Sequence, residues 1–180
     1  GDITTTADTV QFASATTLGG AVGLSSANGA VTFSSTVNGG ENLTITAGSG
    51  NVTFTGAVGG TTRLGTLNIV SAGNVTANAL TLAAFDQDAG TGTTTFDGAV
   101  NTNASGGVVV ANTNLAVNAG VTTTNSGVVT FNQSGTTTIA SAGDISSDGA
   151  VTITSGGGTT TSADVTTTRD VITFASTTLV

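Results

Sequence analysis

Residues 40–59 read GENLTITAGSGNVTFTGAVG. Leu43 and Ile45 flank Thr44, an alternation of period two that describes a short strand with one side turned inward. Gly48-Ser49-Gly50-Asn51 follows as a turn, because Gly and Asn accept the positive φ that a sharp corner needs. Val52 and Phe54 flank Thr53 in a second strand. Val58 gives a third inward position before Gly59-Gly60 turns the chain again. The stretch therefore predicts one coil of three short strands and three corners.

The same plan recurs on both sides. Val10-Gln11-Phe12, Val31-Thr32-Phe33 and Val52-Thr53-Phe54 follow one another at equal intervals, with their phenylalanines at 12, 33 and 54. A short fixed period without a helical pattern marks a stacked repeat, in which each unit hides its apolar side only against a neighbour. Val22 and Leu24 precede Val31, Leu67 and Ile69 precede Val75, and Thr95-Phe96 with Val100 repeats Thr53-Phe54 with Val58. Val151-Thr152-Ile153 and Ile172-Thr173-Phe174 keep the same interval. Between positions 100 and 150 the rhythm is expected to slip, since Phe96 and Phe131 are too far apart for one period; strands are predicted there at 108–110, 115–117 and 129–131. The expected fold is all-β, a parallel β-solenoid of about eight coils of roughly 21 residues, with three short strands per coil.

A longer repeat overlies the short one. Residues 2–14, DITTTADTVQFAS, return without a gap as DVTTTRDVITFAS at 164–176. Residues 1–180 are thus read as a single solenoid segment, 1–162 as one super-repeat and 163–180 as the start of the next. A long tandem array in the parent protein is the expectation. The opening Gly1-Asp2-Ile3, with neither an initiator Met nor a charged leader, is expected of a mature fragment or an excerpt.

Composition removes several classes of chemistry. The chain has no Cys, His, Lys, Met, Trp, Tyr or Pro, and its two cations, Arg63 and Arg169, face ten carboxylates for a net charge of −8. There is no imidazole or amine for proton transfer near neutral pH and no thiol nucleophile, so an enzyme is not expected. Metal ligands are limited to oxygen, and no cofactor is implied. Two arginines cannot form a basic patch, which argues against nucleic acid and against anionic membranes. No apolar run reaches the ~18–20 residues of a membrane span. Over a third of the chain is apolar, and β-branched types dominate, so order is expected rather than disorder.

Three groups of residues invite a functional reading. Asp86, Asp88 and Asp97 are the densest carboxylates, with the chemistry of a weak Ca²⁺ site or of a glycosidase pair. The blander reading, a polar loop between coils, is preferred, because the Gly-Gly-x-Gly-x-Asp nonapeptide of calcium-binding β-rolls does not occur. Threonine runs stand at 4–6, 93–95, 122–124, 136–138, 159–161 and 166–168. A column of such residues on a flat face would suit ice or glycan, but the runs are not one coil apart, so Thr is read as a soluble strand former. Asn42, Asn51, Asn74, Asn103 and Asn132 sit in N-x-S/T sequons, candidates for glycosylation. Asn51, Asn74, Asp144 and Asp170, each just before an inward Val or Ile, are read as structural ladder residues.

On these residues the chain resembles the repeat regions of filamentous-haemagglutinin-type bacterial adhesins and related giant surface proteins. LTITAGSGNVTFTGAVGG at 43–60 carries the resemblance, with weaker copies LNIVSAGNVTA at 67–77 and GAVTITSGG at 149–157. The resemblance implies a right-handed parallel β-helix, secreted and held in a fibre or stalk at the cell surface. The family's secretion domain has no counterpart in these 180 residues. The expected function is an extracellular structural rod, protease-resistant and joined to copies of itself end to end or to neighbouring repeats. A glycan- or ice-binding module, with surface glycans as partners, is the alternative.

Overall fold

The computed structural model describes residues 1–175, and every structural statement below concerns them. They form 23 strands and no helix. In the first coil Ile3–Thr4 (β1), Val10–Phe12 (β2) and Thr16–Thr17 (β3) lie on three successive faces, I, II and III. Val22–Ser25 (β4), Val31–Phe33 (β5) and Val37–Asn38 (β6) repeat them. Leu43–Thr46 (β7) and Val52–Phe54 (β8) follow, with Val58 bridged to Val37 and Leu80 as the third position. Leu64–Ser71 (β9) and Val75–Ala77 (β10) come next. Leu80–Gln87 (β11) closes that coil on face III and, unbroken, opens the next on face I.

Thr93–Phe96 (β12) and Val100–Thr102 (β13) complete the fifth coil. The sixth is Val108–Asn112 (β14), Asn114–Val117 (β15) and Val121–Thr123 (β16). The seventh is Val129–Gln133 (β17), Thr137–Ile139 (β18) and Ile145–Ser147 (β19). The eighth is Val151–Ser155 (β20), Thr159–Thr161 (β21) and Val165–Thr167 (β22); Ile172–Ala175 (β23) starts another on face I. Each strand pairs in parallel with its counterpart one coil away, for example Val31 with Val10 and Val52.

The alternation read from sequence is what makes this stack. Val52 and Phe54 are buried while Thr53 between them is half-exposed. The inward set forms one continuous core from Val10 to Ile153, with each fully buried aliphatic or aromatic side chain contributing about 1.5–3 kcal/mol. Phe12, Phe33 and Phe54 stack in one column, ring centroids 4.6 and 5.1 Å apart with planes 4° and 6° from parallel. Gly48 (φ +59°) makes the predicted turn, and a Cβ on Gly50 would lie 2.1 Å from the Gly29 carbonyl oxygen. Corner backbones of adjacent coils approach too closely for any side chain there.

Coil length is not uniform. On face I the interval between paired residues lengthens from Ile45 to Ile69 and shortens from Ile69 to Gln87. The three strands predicted between 100 and 150 are present. The long interval from Phe96 to Phe131 is a change of face rather than a lost beat: Phe96 lies in β12 on face II and Phe131 in β17 on face I.

Candidate functional site

Asparagine and aspartate side chains at the corners act as axial connectors. Asn28 Oδ1 accepts the Ser49 N–H at 2.9 Å, Asn51 Oδ1 the Asn74 N–H at 2.9 Å, and Asn74 Oδ1 the Thr93 N–H at 2.8 Å. Asn114 receives Thr136 at 2.9 Å and Asp144 receives Asp164 at 2.9 Å in the same way. A corner N–H points along the rod with no ladder partner, and an amide or carboxylate one coil away supplies it. The structural reading of Asn51, Asn74 and Asp144 matches this geometry. Asp170 departs from it, since its backbone carbonyl accepts the Thr167 hydroxyl at 2.7 Å.

All five sequon asparagines are exposed. Asn42 Oδ1 also accepts the Thr66 N–H at 2.8 Å, so Asn42, Asn51 and Asn74 sit at corners with their carbonyl oxygen engaged. Asn132 lies in β17, and the Asn103 carbonyl oxygen accepts the Asn125 amide at 2.8 Å.

The three candidate calcium carboxylates divide between two faces. Asp86 is near the end of β11, with Asp88 two positions on, whereas Asp97 follows β12 and accepts the Asn118 amide at 2.9 Å. Among the described residues no group of three or more carboxylates is placed to share a metal ion. Asp88 borders a shallow open groove of about 320 Å³ with Gly90, Asn112, Asn132 and Ser134. Burial, and then repulsion from Asp88, push the Asp86 carboxyl above its ordinary range. A raised folded-state pKa means that ionising Asp86 costs stability above that pKa, and the cost vanishes below the unfolded value. Asp86→Asn is therefore expected to raise the melting temperature at neutral pH and to leave it unchanged in acid, read by thermal melts across pH. Asp148 behaves in the opposite sense: the Ser126 N–H at 2.8 Å and the Thr168 hydroxyl at 3.0 Å hold its carboxyl below the usual range. Those bonds favour the fold above the unfolded pKa and are lost as pH falls through the lowered one.

The feature that sequence reasoning missed is on face II. Its outward positions are, coil by coil, Gln11, Thr32, Thr53, Thr76, Thr95, Ala116, Thr138 and Thr160. Six of the eight are threonine, in strict register and spaced by the ~4.7–4.9 Å between parallel strands. Ser34, Thr55, Asn78 and Asn118, two positions beyond, extend the face with uncharged hydrogen-bonding groups, interrupted between Asn78 and Asn118 by the carboxylate of Asp97. The expectation that Thr forms no ordered column fails because coils vary in length. Runs that look unevenly spaced in sequence, at 93–95, 136–138 and 159–161, all fall on this face.

Those same runs also turn threonine inward. Thr94, Thr137 and Thr159 are buried within the corner between faces I and II. The Thr94 hydroxyl donates to Gln87 Oε1 at 2.6 Å, and the Asn112 amide donates to Thr94 Oγ1 at 2.7 Å. Thr137 donates to Gln133 Oε1 at 2.8 Å and lies 2.6 Å from the Ser155 hydroxyl, which accepts from Thr159 at 3.2 Å. This polar ladder satisfies its hydroxyls inside the rod, where an unpaired hydroxyl would cost about 1–3 kcal/mol, and leaves Asn112 Oδ1 as its one buried atom without a partner.

Arg63 is pinned rather than displayed. Its guanidinium donates to the Leu82 and Asn101 carbonyls at 2.6 and 3.0 Å and to Asn101 Oδ1 at 2.7 Å, spanning coils on face III. Arg169, in the corner between β22 and β23, is exposed. The geometry defines a parallel β-solenoid whose face II carries a column of threonines. Comparison with known proteins finds no protein-family model, curated protein or solved structure that matches the chain.

Proposed function

We propose that this chain is a non-catalytic structural segment of an extracellular fibre or adhesin stalk. The observation that carries this reading is the unbroken axial bonding. Backbone N–H groups of one coil reach carbonyls of the next along the stack, as in Val10 to Ala30, Val31 to Asn51 and Val52 to Asn74, each 2.8 Å. A load along such a rod falls on parallel rows of hydrogen bonds, and a protease finds few strands it can extract. Trypsin provides the test. Cleavage is expected at exposed Arg169 and not at Arg63 in the folded chain; cleavage at Arg63 as fast as in the urea-unfolded chain would sink the proposal.

A second reading rests on the Thr column of face II: an uncharged, regularly spaced array of hydroxyl and methyl groups that meets an ice surface or a glycan chain. Ice-growth inhibition that is lost in Thr76→Glu, with the fold retained by circular dichroism, would favour it over the rod.

A further inference from the structure

The repeat that opens and closes the chain does not return to the face on which it began. Residues 2–14 and 164–176 match at eight of thirteen positions without a gap. Their strands are equivalent in sequence, β1 with β22 and β2 with β23, yet they occupy different faces. β1 pairs with β4 on face I, whereas β22 pairs with β19 on face III. β2 pairs with β5 on face II, whereas β23 pairs with β20 on face I. The corner joining each pair is shared in structure as well as sequence. The Thr5 hydroxyl donates to the Asp8 carbonyl at 3.0 Å, and the Thr167 hydroxyl donates to the Asp170 carbonyl at 2.7 Å. One local motif thus builds the bend from face I to face II in the first copy and from face III to face I in the second.

The cause is a mismatch of lengths. The register on face I climbs from Ile3 through Leu24, Ile45, Ile69, Gln87, Val110, Phe131 and Ile153 to Phe174. The sequence equivalent of Ile3 is instead Val165, one strand and one corner short of Phe174. The unit therefore spans seven coils and two further strands.

We infer that successive copies of the repeat unit are turned by one face about the solenoid axis, so that the partner each unit presents its last coil to is a second copy rotated by a third of a turn. This rests on the tandem-rod reading and sharpens it. The Thr column that one unit carries on face II falls on face I in the next and on face III in the one after. With strands ~4.8 Å apart, a unit rises about 37 Å, and the same face recurs only after about 110 Å. A fibre built this way has no continuous flat hydroxyl face along which neighbouring fibres would zip together. Its surface chemistry is offered in all three directions.

The chain contains no cysteine, so engineered pairs report the register directly. In the turned arrangement Thr173 lies beside Thr152 of β20. Were the unit to return to its starting face, residues 172–174 would sit over β21 and Thr173 beside Thr160. Parallel neighbours at strand spacing fall within the ~4.4–6.8 Å Cα separation that a disulfide spans. Three double variants of the full chain are oxidised and mapped by mass spectrometry: Thr152→Cys/Thr173→Cys, Thr160→Cys/Thr173→Cys, and Thr53→Cys/Thr76→Cys as the positive control for an outward register pair. The expected result is a cross-link in the first and the control and none in the second. A cross-link in the second, or in the control alone, overturns the rotation. Tryptic resistance of the unmodified chain tests the rod separately, so failure of one reading is not mistaken for failure of the other.

Discussion

Phe33→Ala is expected to lower the unfolding free energy by about 3–5 kcal/mol, the range for truncating a fully buried aromatic side chain. Phe33 is 1% exposed, and its ring is held between those of Phe12 and Phe54. The substitution removes both stacking contacts, each worth about 0.5–1.5 kcal/mol beyond simple burial, and leaves a void that hydrogen-bonded coils cannot collapse to fill. Because a coil touches only its neighbours, the damage should be local. Hydrogen exchange should quicken in β2, β5 and β8 and stay slow in β14 and β17. Phe12→Ala, at the half-buried end of the column, should cost less. Chemical denaturation measures both; a loss below about 1 kcal/mol for Phe33→Ala would show that the column is not the dry stack described.

The strands of that column were legible because hydrophobicity and β-branching both alternate there. In V-T-F every signal agrees, and the three copies lie in register as their spacing predicts. Legibility fails where one residue type serves both sides of a strand. Thr94 and Thr95 are neighbours of identical composition, one fully buried and the other half-exposed, and only register tells them apart. The buried ladder from Gln87 to Thr159 was hidden for the same reason: Gln, Asn and Thr read as outward until their partners are known. β11 hides a corner altogether, because Ala83-Ala84 carries the chain from face III to face I without a Gly, Asn or Asp to mark it. The Thr column of face II is a property of alignment across coils of unequal length, shorter from Ala77 to Phe96 than from Phe54 to Ala77. Periodicity counted along the chain cannot reveal a column whose period varies. Asn51 and Asn74 succeeded as sequence readings because a corner has one job for an amide, and the following inward Val fixes its place.

Val52→Pro is expected to break the rod at a defined place. Val52 is fully buried in β8, between β5 and β10, and its N–H donates to the Asn74 carbonyl at 2.8 Å. Proline deletes that donor and strands the carbonyl in the interior of the ladder, which costs about 1–3 kcal/mol before any steric term. Its ring must then fit where the next coil's backbone already lies, so the total should reach about 3 kcal/mol or more. Gly40→Pro is the matched control. Gly40 is exposed in the corner between β6 and β7, its φ is outside the left-handed region, and no atom lies within 4 Å of a Cβ placed there. That substitution should change stability by no more than about 1 kcal/mol. The two variants also separate global stability from axial continuity. If strength along the rod comes from the ladder, Val52→Pro loosens the coils on either side and frees Arg63 from Leu82 and Asn101. Trypsin then cuts at Arg63, which it is expected to spare in the parent chain and in Gly40→Pro. Arg63 as resistant in Val52→Pro as in the control would mean that its protection comes from the arginine's own hydrogen bonds and not from the ladder beneath it.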